Sequence, residues 1–316
     1  MKLPVTCIGK DKQPLPLTTR QRQMIDESLK IEQKEARSAG SLGFMSRALV
    51  QVTLPHKDPK TLYYERTNGK LSLTVRGHKA YGVPFGTIPR IVLAWMSTEA
   101  VRTKDPTLHL GCSASDFSSK LGLHYNGNDL ARLKKQSLAL ARSAISIDCH
   151  DKSTNSIAFD DIKITSRGFV FWTEKNIEQP SLWQSTLTLT DDFYNAVTTR
   201  PMPMDMRVYQ ALSKSPLAMD IYTWLTYRVF ILRVSGHKQA LILWLGLKEQ
   251  LGNGYANNAD GLASFKFNFK KQLKKVLLFY PEVRECLIDV GKYLKMLPCK
   301  LHIANNNEAK LSKLEN

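Results

Sequence analysis

The chain has 316 residues, 43% of them apolar, which is enough for about two domains with buried cores. Its net charge of +17 and pI near 9.6 indicate a polyanionic partner, either nucleic acid or an anionic membrane surface. No apolar run approaches the ~20 residues of a membrane span, and the N-terminus lacks the apolar core of a signal peptide. The composition therefore favours nucleic acid and a cytoplasmic location.

The N-terminal segment, to about Gly40, is polar and shows no apolar face. A Pro-Leu-Pro-Leu stretch at residues 14–17 precedes a charged helical segment at Thr19–Ala36. Such segments are typical of flexible arms, so we predict a basic arm over residues 1–42. The cations of this arm that could reach DNA phosphates are Arg20, Arg22, Lys30 and Lys34.

Alternating apolar and polar residues next predict three strands, at Ala48–Leu54, Thr61–Thr67 and Lys70–Arg76. An Asn68-Gly69 pair separates the last two, and such a pair is the strongest short-range signal of a β-hairpin. We therefore expect a small β segment before the first helical unit.

The first helical unit is predicted to start at Thr87, the N-cap of an apolar helix with Pro89 in its first turn that runs to about residue 102. A short extended segment follows at Thr107–Leu110. Ser113–Asp116 then resembles a capping box for a helix at Phe117–Leu121.

A basic helix is predicted next, at Asp129–Ala144, after a turn at Asn126–Asn128. Helical periodicity assigns its buried face to Leu130, Leu133, Ser137, Leu140 and Ala141. The residues predicted to face outward are Arg132, Lys135, Gln136, Ala139 and Arg142.

Three strands complete this unit, at Ile145–Cys149, Ile157–Ile164 and Phe169–Trp172, with Ser166-Arg167-Gly168 joining the last two. A helix-turn-helix followed by an antiparallel hairpin is the order of a winged helix. The tip of the hairpin, which would reach the DNA, is predicted either at Lys152–Ser156 or at Arg167.

The same order repeats in the second half of the chain. Asp205 is predicted to cap a short helix to Lys214, and Ser215-Pro216 to start a strongly apolar helix. A helix at Ala240–Leu251 and a Gly-rich turn precede a Lys-rich helix that Pro281 ends. Two strands, predicted at Val283–Val290 and Tyr293–Ile303, complete a second winged-helix pattern.

The Lys-rich helix, Phe265–Val276, separates its apolar and basic residues at helical spacing. One face carries Leu262, Phe265, Phe269, Leu273 and Val276, and the other carries Lys270, Lys271, Lys274 and Lys275. A single helix of this kind is often only a solvated surface. Two basic helices in equivalent positions of one basic chain favour DNA binding. Phe267 lies on the lysine face, where it either contacts a thymine methyl group or packs under the wing.

Several long motifs resemble those of the bacterial plasmid RepA replication initiators, a group similar to the TrfA-type initiators. They are Gly43–Val50, Thr53–His56, Gly86–Arg90 continuing to Leu93–Trp95, Thr98–Thr103 and Asp220–Arg228. The resemblance extends from about Ser41 to Ile303. It implies a protein that binds repeated sites, called iterons, at a plasmid origin, opens the adjacent AT-rich duplex and recruits the host helicase and initiator.

The charged residues inside these motifs have a structural interpretation. Arg90, Arg102 and Arg228 lie in helices with apolar periodicity, so we expect them to pair with Glu99, Asp105 or Asp220 and not with DNA.

The sequence shows no catalytic or metal-binding pattern, so we expect neither an enzyme nor a cofactor. The seven histidines contain no H-x-H pair for a nicking initiator, and no G-x-x-x-x-G-K-[ST] loop is present to bind a triphosphate. The five cysteines have no C-x-x-C spacing and are typical of reduced thiols. Cys299 with His302 would leave a zinc site two ligands short.

These observations predict an α+β protein with two tandem winged-helix domains. We assign residues 1–42 to the arm, 43–200 to the first domain with its preceding hairpin, 201–304 to the second and 305–316 to a tail. The predicted DNA-binding residues are Arg132, Lys135, Gln136, Arg142, Lys266, Asn268, Lys270, Lys271, Lys274 and Lys275.

Two DNA-binding hypotheses follow. In the first, the chain is an initiator that binds direct repeats of double-stranded DNA together with host helicase and initiator proteins. In the second, it is a winged-helix repressor, dimeric on an inverted repeat. The two are compatible, because related initiators can repress their own promoter as homodimers. A structural RNA-binding protein is disfavoured, since no aromatic strand platform for stacking bases is evident.

Overall fold

A computed structural model describes residue 36 and residues 38–51, 53–68, 71–123, 127–151, 156–169, 185–199, 201–252 and 254–303. Over these ranges the chain forms nine α-helices and twelve β-strands in four small sheets, so the α+β class is confirmed. The predicted arm up to residue 35, the loop 152–155, the strand residues 170–172 and the tail 305–316 lie outside the described residues.

The predicted hairpin is confirmed. Strands β2 (Tyr63–Asn68) and β3 (Leu71–Arg76) pair antiparallel, with Asn68 opposite Leu71. Before them, β1 comprises Leu42–Met45, and Arg47–Gln51 forms helix α1. The predicted strand at Ala48–Leu54 is therefore wrong. Such a short apolar run fits helix or strand equally well, and here Leu49 and Val50 join the core from a helical turn.

The helices of the first unit lie close to their predicted positions. Helix α2 spans Thr87–Thr103, strand β4 Thr107–Gly111 and helix α3 Ala114–Lys120. Ser113 caps α3 as predicted, with its side chain accepting a hydrogen bond from the Asp116 N–H. The cap of α2 is Gly86, not Thr87, and its φ of 81° is a conformation that glycine adopts readily.

Helix α4 spans Gly127–Ala141 and leads into strands that differ from the prediction. Strands β5 (Ala144–Asp151) and β6 (Ser156–Lys163) extend the hairpin into a sheet of order β2-β3-β5-β6. Strands β7 (Thr165–Phe169) and β8 (Ser185–Leu189) join β4 in the order β4-β8-β7.

The predicted turn at Ser166-Arg167-Gly168 is therefore wrong, because these residues lie inside β7. The strand Ile157–Ile164 does not pair with the strand after that turn; β6 pairs instead with β5 along its whole length, which is the hairpin that the other predicted tip, Lys152–Ser156, requires. Strand β5 in turn pairs with β3, which places Ile145 and Ile147 in the core beside Val75 and Leu73. This long-range pairing has no local sequence signal.

The second half begins with helix α5 (Asp191–Thr199), strand β9 (Met202–Asp205) and helix α6 (Met206–Ala211). Helix α7 spans Pro216–Val234. Both predicted caps are confirmed. The Asp205 side chain accepts a hydrogen bond from the Arg207 N–H, and that of Ser215 from the Ala218 N–H.

The last unit consists of strand β10 (Ala240–Leu243), helices α8 (Trp244–Leu251) and α9 (Ala259–Phe279), and strands β11 (Leu287–Asp289) and β12 (Tyr293–Met296). Helix α9 ends before Pro281, as predicted, but a 3₁₀ turn at Pro281–Val283 follows it, so the strand predicted from Val283 begins only at Leu287. The three strands form a sheet of order β10-β12-β11. The predicted helix start at Ala240 is wrong because residues 240–243 pair with β12.

The two halves share one hydrophobic core, and β1 pairs with β9 between them. A buried ionic cluster adds a second link. The Arg90 guanidinium donates to both carboxylate oxygens of Asp220, at 2.7 and 2.9 Å, and to the Leu54, Pro55 and Gly86 carbonyls. His56 Nε2 lies 2.7 Å from the same carboxylate. Burial would raise the pKa of Asp220, but Arg90 and His56 outweigh it and hold that pKa well below its ordinary value.

Candidate nucleic-acid interface

Helix α9 is held by its aromatic face. Phe265, Phe269 and Val276 are fully buried, and the Phe269 ring makes edge contacts with Trp224 and Trp244 at centroid distances of 6.1 and 5.3 Å. The Asn258 side chain caps the helix by accepting a hydrogen bond from the Gly261 N–H at 2.8 Å. This packing confirms the predicted apolar face and fixes the direction of the opposite one.

The opposite face of α9 is open. Lys270, Lys271 and Lys274 are exposed, and the Phe267 side chain, one turn before them, is 69% exposed. Phe267 therefore does not pack under the wing, which was one of its two predicted roles. At 3.6 residues per turn, Phe267, Lys271 and Lys274 form one stripe along the helix. Lys270 is exposed beside this row, and we call Phe267, Lys270, Lys271 and Lys274 together the lysine stripe.

The remaining predicted residues of α9 are half-buried and have partners within the chain. Lys266 Nζ donates to the Gly291 carbonyl at 2.6 Å, and Lys275 Nζ donates to Gln272 Oε1 at 2.8 Å. Asn268 Nδ2 donates to the Ser264 carbonyl, one helical turn back, at 3.1 Å. These groups must exchange an internal partner for a ligand in order to bind one.

Two lysines of α9 contact the turn between β11 and β12. Lys270 Nζ lies 2.5 Å from Asp289 Oδ2, and Trp244 Nε1 donates to the other carboxylate oxygen at 3.0 Å. Burial would raise the pKa of Asp289, but the hydrogen bonds from Lys270, Trp244 and the Gly291 N–H lower it. Lys266 and Lys270 also lie over the Trp244 ring, at 5.3 and 6.0 Å. The helix and the turn thus form one basic surface.

No sequence signal could identify the partners of these lysines, since Asp289 lies nineteen positions beyond Lys270 in the chain. Among the residues that the structure describes, Lys271 and Lys274 have no carboxylate within ion-pair distance. The ammonium groups of Lys271 and Lys274 are therefore more accessible to a ligand than those of the other lysines of α9, which have partners within the chain.

Helix α4 presents a second, smaller basic surface. Arg132 and Lys135 are exposed on the helix, and Arg142 is exposed directly after it. Arg132 Nη1 lies 3.5 Å from Asp129 Oδ1, a weak surface pair. Leu130, Leu133 and Leu140 are buried on the other side, as predicted.

The predicted outward position of Gln136 is wrong. Its side chain is 5% exposed, and its Oε1 accepts a hydrogen bond from the Phe85 N–H at 2.9 Å. Ala139, also predicted outward, is fully buried. Helix α4 packs against both α2 and α3, so its buried arc is wider than a one-sided amphipathic helix would have. Gln136 cannot read a base from this position.

The structural interpretation of the motif arginines is confirmed for two of three. Arg90 pairs with Asp220, and Arg102 Nη2 lies 2.5 Å from Glu99 Oε2. Arg228 is half-buried and, within the described part of the chain, pairs with neither Glu99, Asp105 nor Asp220.

The described residues show neither a metal-ligand cluster nor a membrane-spanning helix. They contain no group of three or more His, Cys, Asp or Glu side chains placed to hold a metal ion. Their helices include none that combines the length and apolarity needed to cross a membrane.

Comparison with known proteins gives a family match and weak likenesses to solved structures. The family model described as "Plasmid encoded RepA protein" matches residues 83–244. A crystal structure of RctB domains 2–3 is similar with a TM-score of 0.48 and 12% identity, covering 81% of this chain and 98% of that one. A selenomethionine derivative of the same RctB domains gives a TM-score of 0.47 and 14% identity, covering 81% and 96%. At these values the likenesses carry no functional inference. No curated protein sequence matches the chain.

Proposed function

Because this chain belongs to the plasmid RepA family of replication initiators, we propose that it binds direct-repeat iterons at a plasmid origin and opens the adjacent AT-rich duplex. In this proposal it then recruits the host helicase and initiator protein. The observation that carries the proposal is the lysine stripe, an open cationic face on a helix that aromatic packing holds rigidly.

Two winged helices are the proposed DNA-binding units. The support is that the first unit, α2-β4-α3-α4 followed by β7-β8, has the same order of elements as α7-β10-α8-α9-β11-β12, apart from an insertion of β5 and β6, which pair with the N-terminal hairpin. In each unit the last strand lies between the other two, as the orders β4-β8-β7 and β10-β12-β11 record. In this arrangement α4 and α9 are the equivalent helices that would enter the major groove.

Phosphate contacts supply most of the affinity in this proposal. Lys271 and Lys274 bind the backbone directly, while Lys270 exchanges Asp289 for a phosphate. Phe267 contacts a thymine methyl group in this proposal, and the support is that its ring is exposed on the same helix face as these lysines. Arg132, Lys135 and Arg142 make the equivalent contacts from the first unit in this proposal.

Binding free energy drives the opening of the origin in this proposal. The sequence has no triphosphate-binding loop, so several copies bound to adjacent repeats must strain the duplex themselves. An AT-rich segment yields first because its flexible steps are the easiest to deform.

Footprinting of the DNA beside the gene tests this proposal. Initiation predicts several protected direct repeats of roughly 20 base pairs next to an AT-rich segment. Protection of a single palindrome would instead assign the repressor function, with the chain acting as a dimer.

A further inference from the structure

A groove beside the first basic helix carries three cations that come from three separate elements. It has a volume of about 510 Å³ and lies between the end of α4, the end of β6 and strand β7. Arg142, Lys163 and Arg167 line it, and all three side chains are exposed. The sequence alone did not identify Lys163, and it placed Arg167 at a turn.

The three cations are unpaired as far as the structure describes the chain. No lining residue is acidic, and no described carboxylate lies within ion-pair distance of any of them. Three like charges around one groove repel one another, so the arrangement costs free energy until an anion enters.

Internal hydrogen bonds fix the walls of the groove. The hydroxyl groups of Thr165 and Ser143 donate to the Ala141 and Leu140 carbonyls at 2.7 and 2.9 Å. The Thr190 hydroxyl donates to the Lys163 carbonyl, and that of Ser166 to the Leu189 carbonyl at 3.2 Å. The wall hydroxyls therefore hold the shape of the groove, and the three cations remain as its donors to a ligand.

The groove continues the basic face of α4. Lys135 and Arg142 are seven positions apart, which brings both side chains to nearly the same side of the helix axis. A duplex lying along α4 would therefore meet Arg142 next, and then Lys163 and Arg167 across the groove.

We propose that this groove binds the phosphodiester backbone of the duplex that α4 contacts. The inference rests on the proposed function and adds Lys163 and Arg167 to the first unit's DNA contacts. Because these contacts are to phosphate, they contribute affinity irrespective of base sequence.

A salt titration of a double variant tests the groove. Binding of the full chain to a mixed-sequence duplex is measured by fluorescence anisotropy between about 50 and 200 mM salt. Lys163→Ala/Arg167→Ala removes two phosphate contacts, so the slope of log K against log salt should become less steep by about 1.8. Lys79→Ala/Lys214→Ala removes two exposed charges outside the groove and should leave the slope unchanged. All variants should keep the wild-type melting temperature because these side chains are exposed.

A second double variant separates the proposal for the groove from the proposed function of the lysine stripe. Lys270→Ala/Lys274→Ala should reduce the slope if the lysine stripe binds DNA. If the groove variant keeps the wild-type slope and the stripe variant has a reduced slope, only the proposal for the groove is overturned. Normal slopes for both overturn the DNA interface as a whole.

Competition by inorganic phosphate tests whether the groove binds a free anion and not the DNA backbone. At matched ionic strength it should weaken binding no more than chloride does. Phosphate competition seen with the wild type and lost in the groove variant would make the groove a free-anion site and contradict the proposal.

Discussion

A single buried carboxylate, Asp220, joins helix α7 to the N-terminal half of the chain through Arg90 and His56. Asp220→Ala leaves the Arg90 guanidinium buried without its counterion, so we expect the free energy of unfolding to fall by about 3–5 kcal/mol. Urea denaturation measures it. Glu99→Ala, which removes the exposed partner of Arg102, is the matched control and should cost less than about 1 kcal/mol. Equal losses in the two variants would show that the cluster does not join the halves.

Two half-buried histidines, His56 and His302, are expected to make the stability of the fold sensitive to mild acid. Burial lowers the pKa of His56 and of His302 below the ordinary value of 6.5. Below pH 6.5 the unfolded chain therefore binds protons that the folded chain resists, and stability present above that pH is lost as the pH falls. Urea midpoints at decreasing pH should show this loss, and His302→Gln should make it shallower. A urea midpoint that rises as the pH falls would contradict the lowered pKa values of these two histidines.

Asn268 and Lys274 should have different effects on DNA binding. Lys274→Ala removes an exposed phosphate contact, so it should weaken binding to cognate and random duplexes alike. If Asn268 exchanges the Ser264 carbonyl for a base edge, Asn268→Ala should lose roughly 1–3 kcal/mol on the cognate repeat only. Competition binding with both duplexes measures the difference. A loss by Asn268→Ala on both duplexes alike would rule out base reading at this position.

At the scale of the element, the orientation of α9 is tested by two phenylalanines two positions apart. Phe269 is fully buried and Phe267 is 69% exposed. Phe269→Ala should therefore destabilise the chain by about 3–5 kcal/mol. Phe267→Ala should leave the melting temperature within a degree or two and weaken binding to the cognate repeat. The reverse pattern would mean that the helix is rotated relative to the assignment.

Elements with a local signal could be predicted from the sequence. The Asn68-Gly69 hairpin and the caps Ser113, Asp205 and Ser215 depend on residues within a few positions, and all are present in the structure. The run at Ala240–Leu243 has no such signal. Its strand conformation depends on pairing with β12, more than fifty residues later.

The outward-facing residues were predictable only where a helix buries one side. That condition holds for α9, whose apolar face matches its periodicity. It fails for α4, where packing against two helices buries Gln136 and Ala139. Lys163 could not be grouped with α4, and Arg167 was predicted only as a hairpin tip, since the groove depends on how β6 and β7 return to the end of that helix.

At the scale of the whole molecule, the shared core and the Asp220 cluster connect the two basic helices mechanically. If each copy is one connected body on the duplex, several bound copies can impose one combined deformation on the adjacent DNA. Family membership makes initiation the expected role, and opening of the origin is the step that distinguishes it from repression.

Permanganate reactivity of unpaired thymines in a supercoiled origin plasmid is the most direct measurement of that step. It uses the purified chain, with and without a host architectural protein, and no nucleotide. We expect reactive thymines only in the AT-rich segment beside the repeats, and only when several repeats are present. Fully occupied repeats without reactive thymines, even after host initiator and architectural proteins are added, would contradict initiation and assign the repressor function.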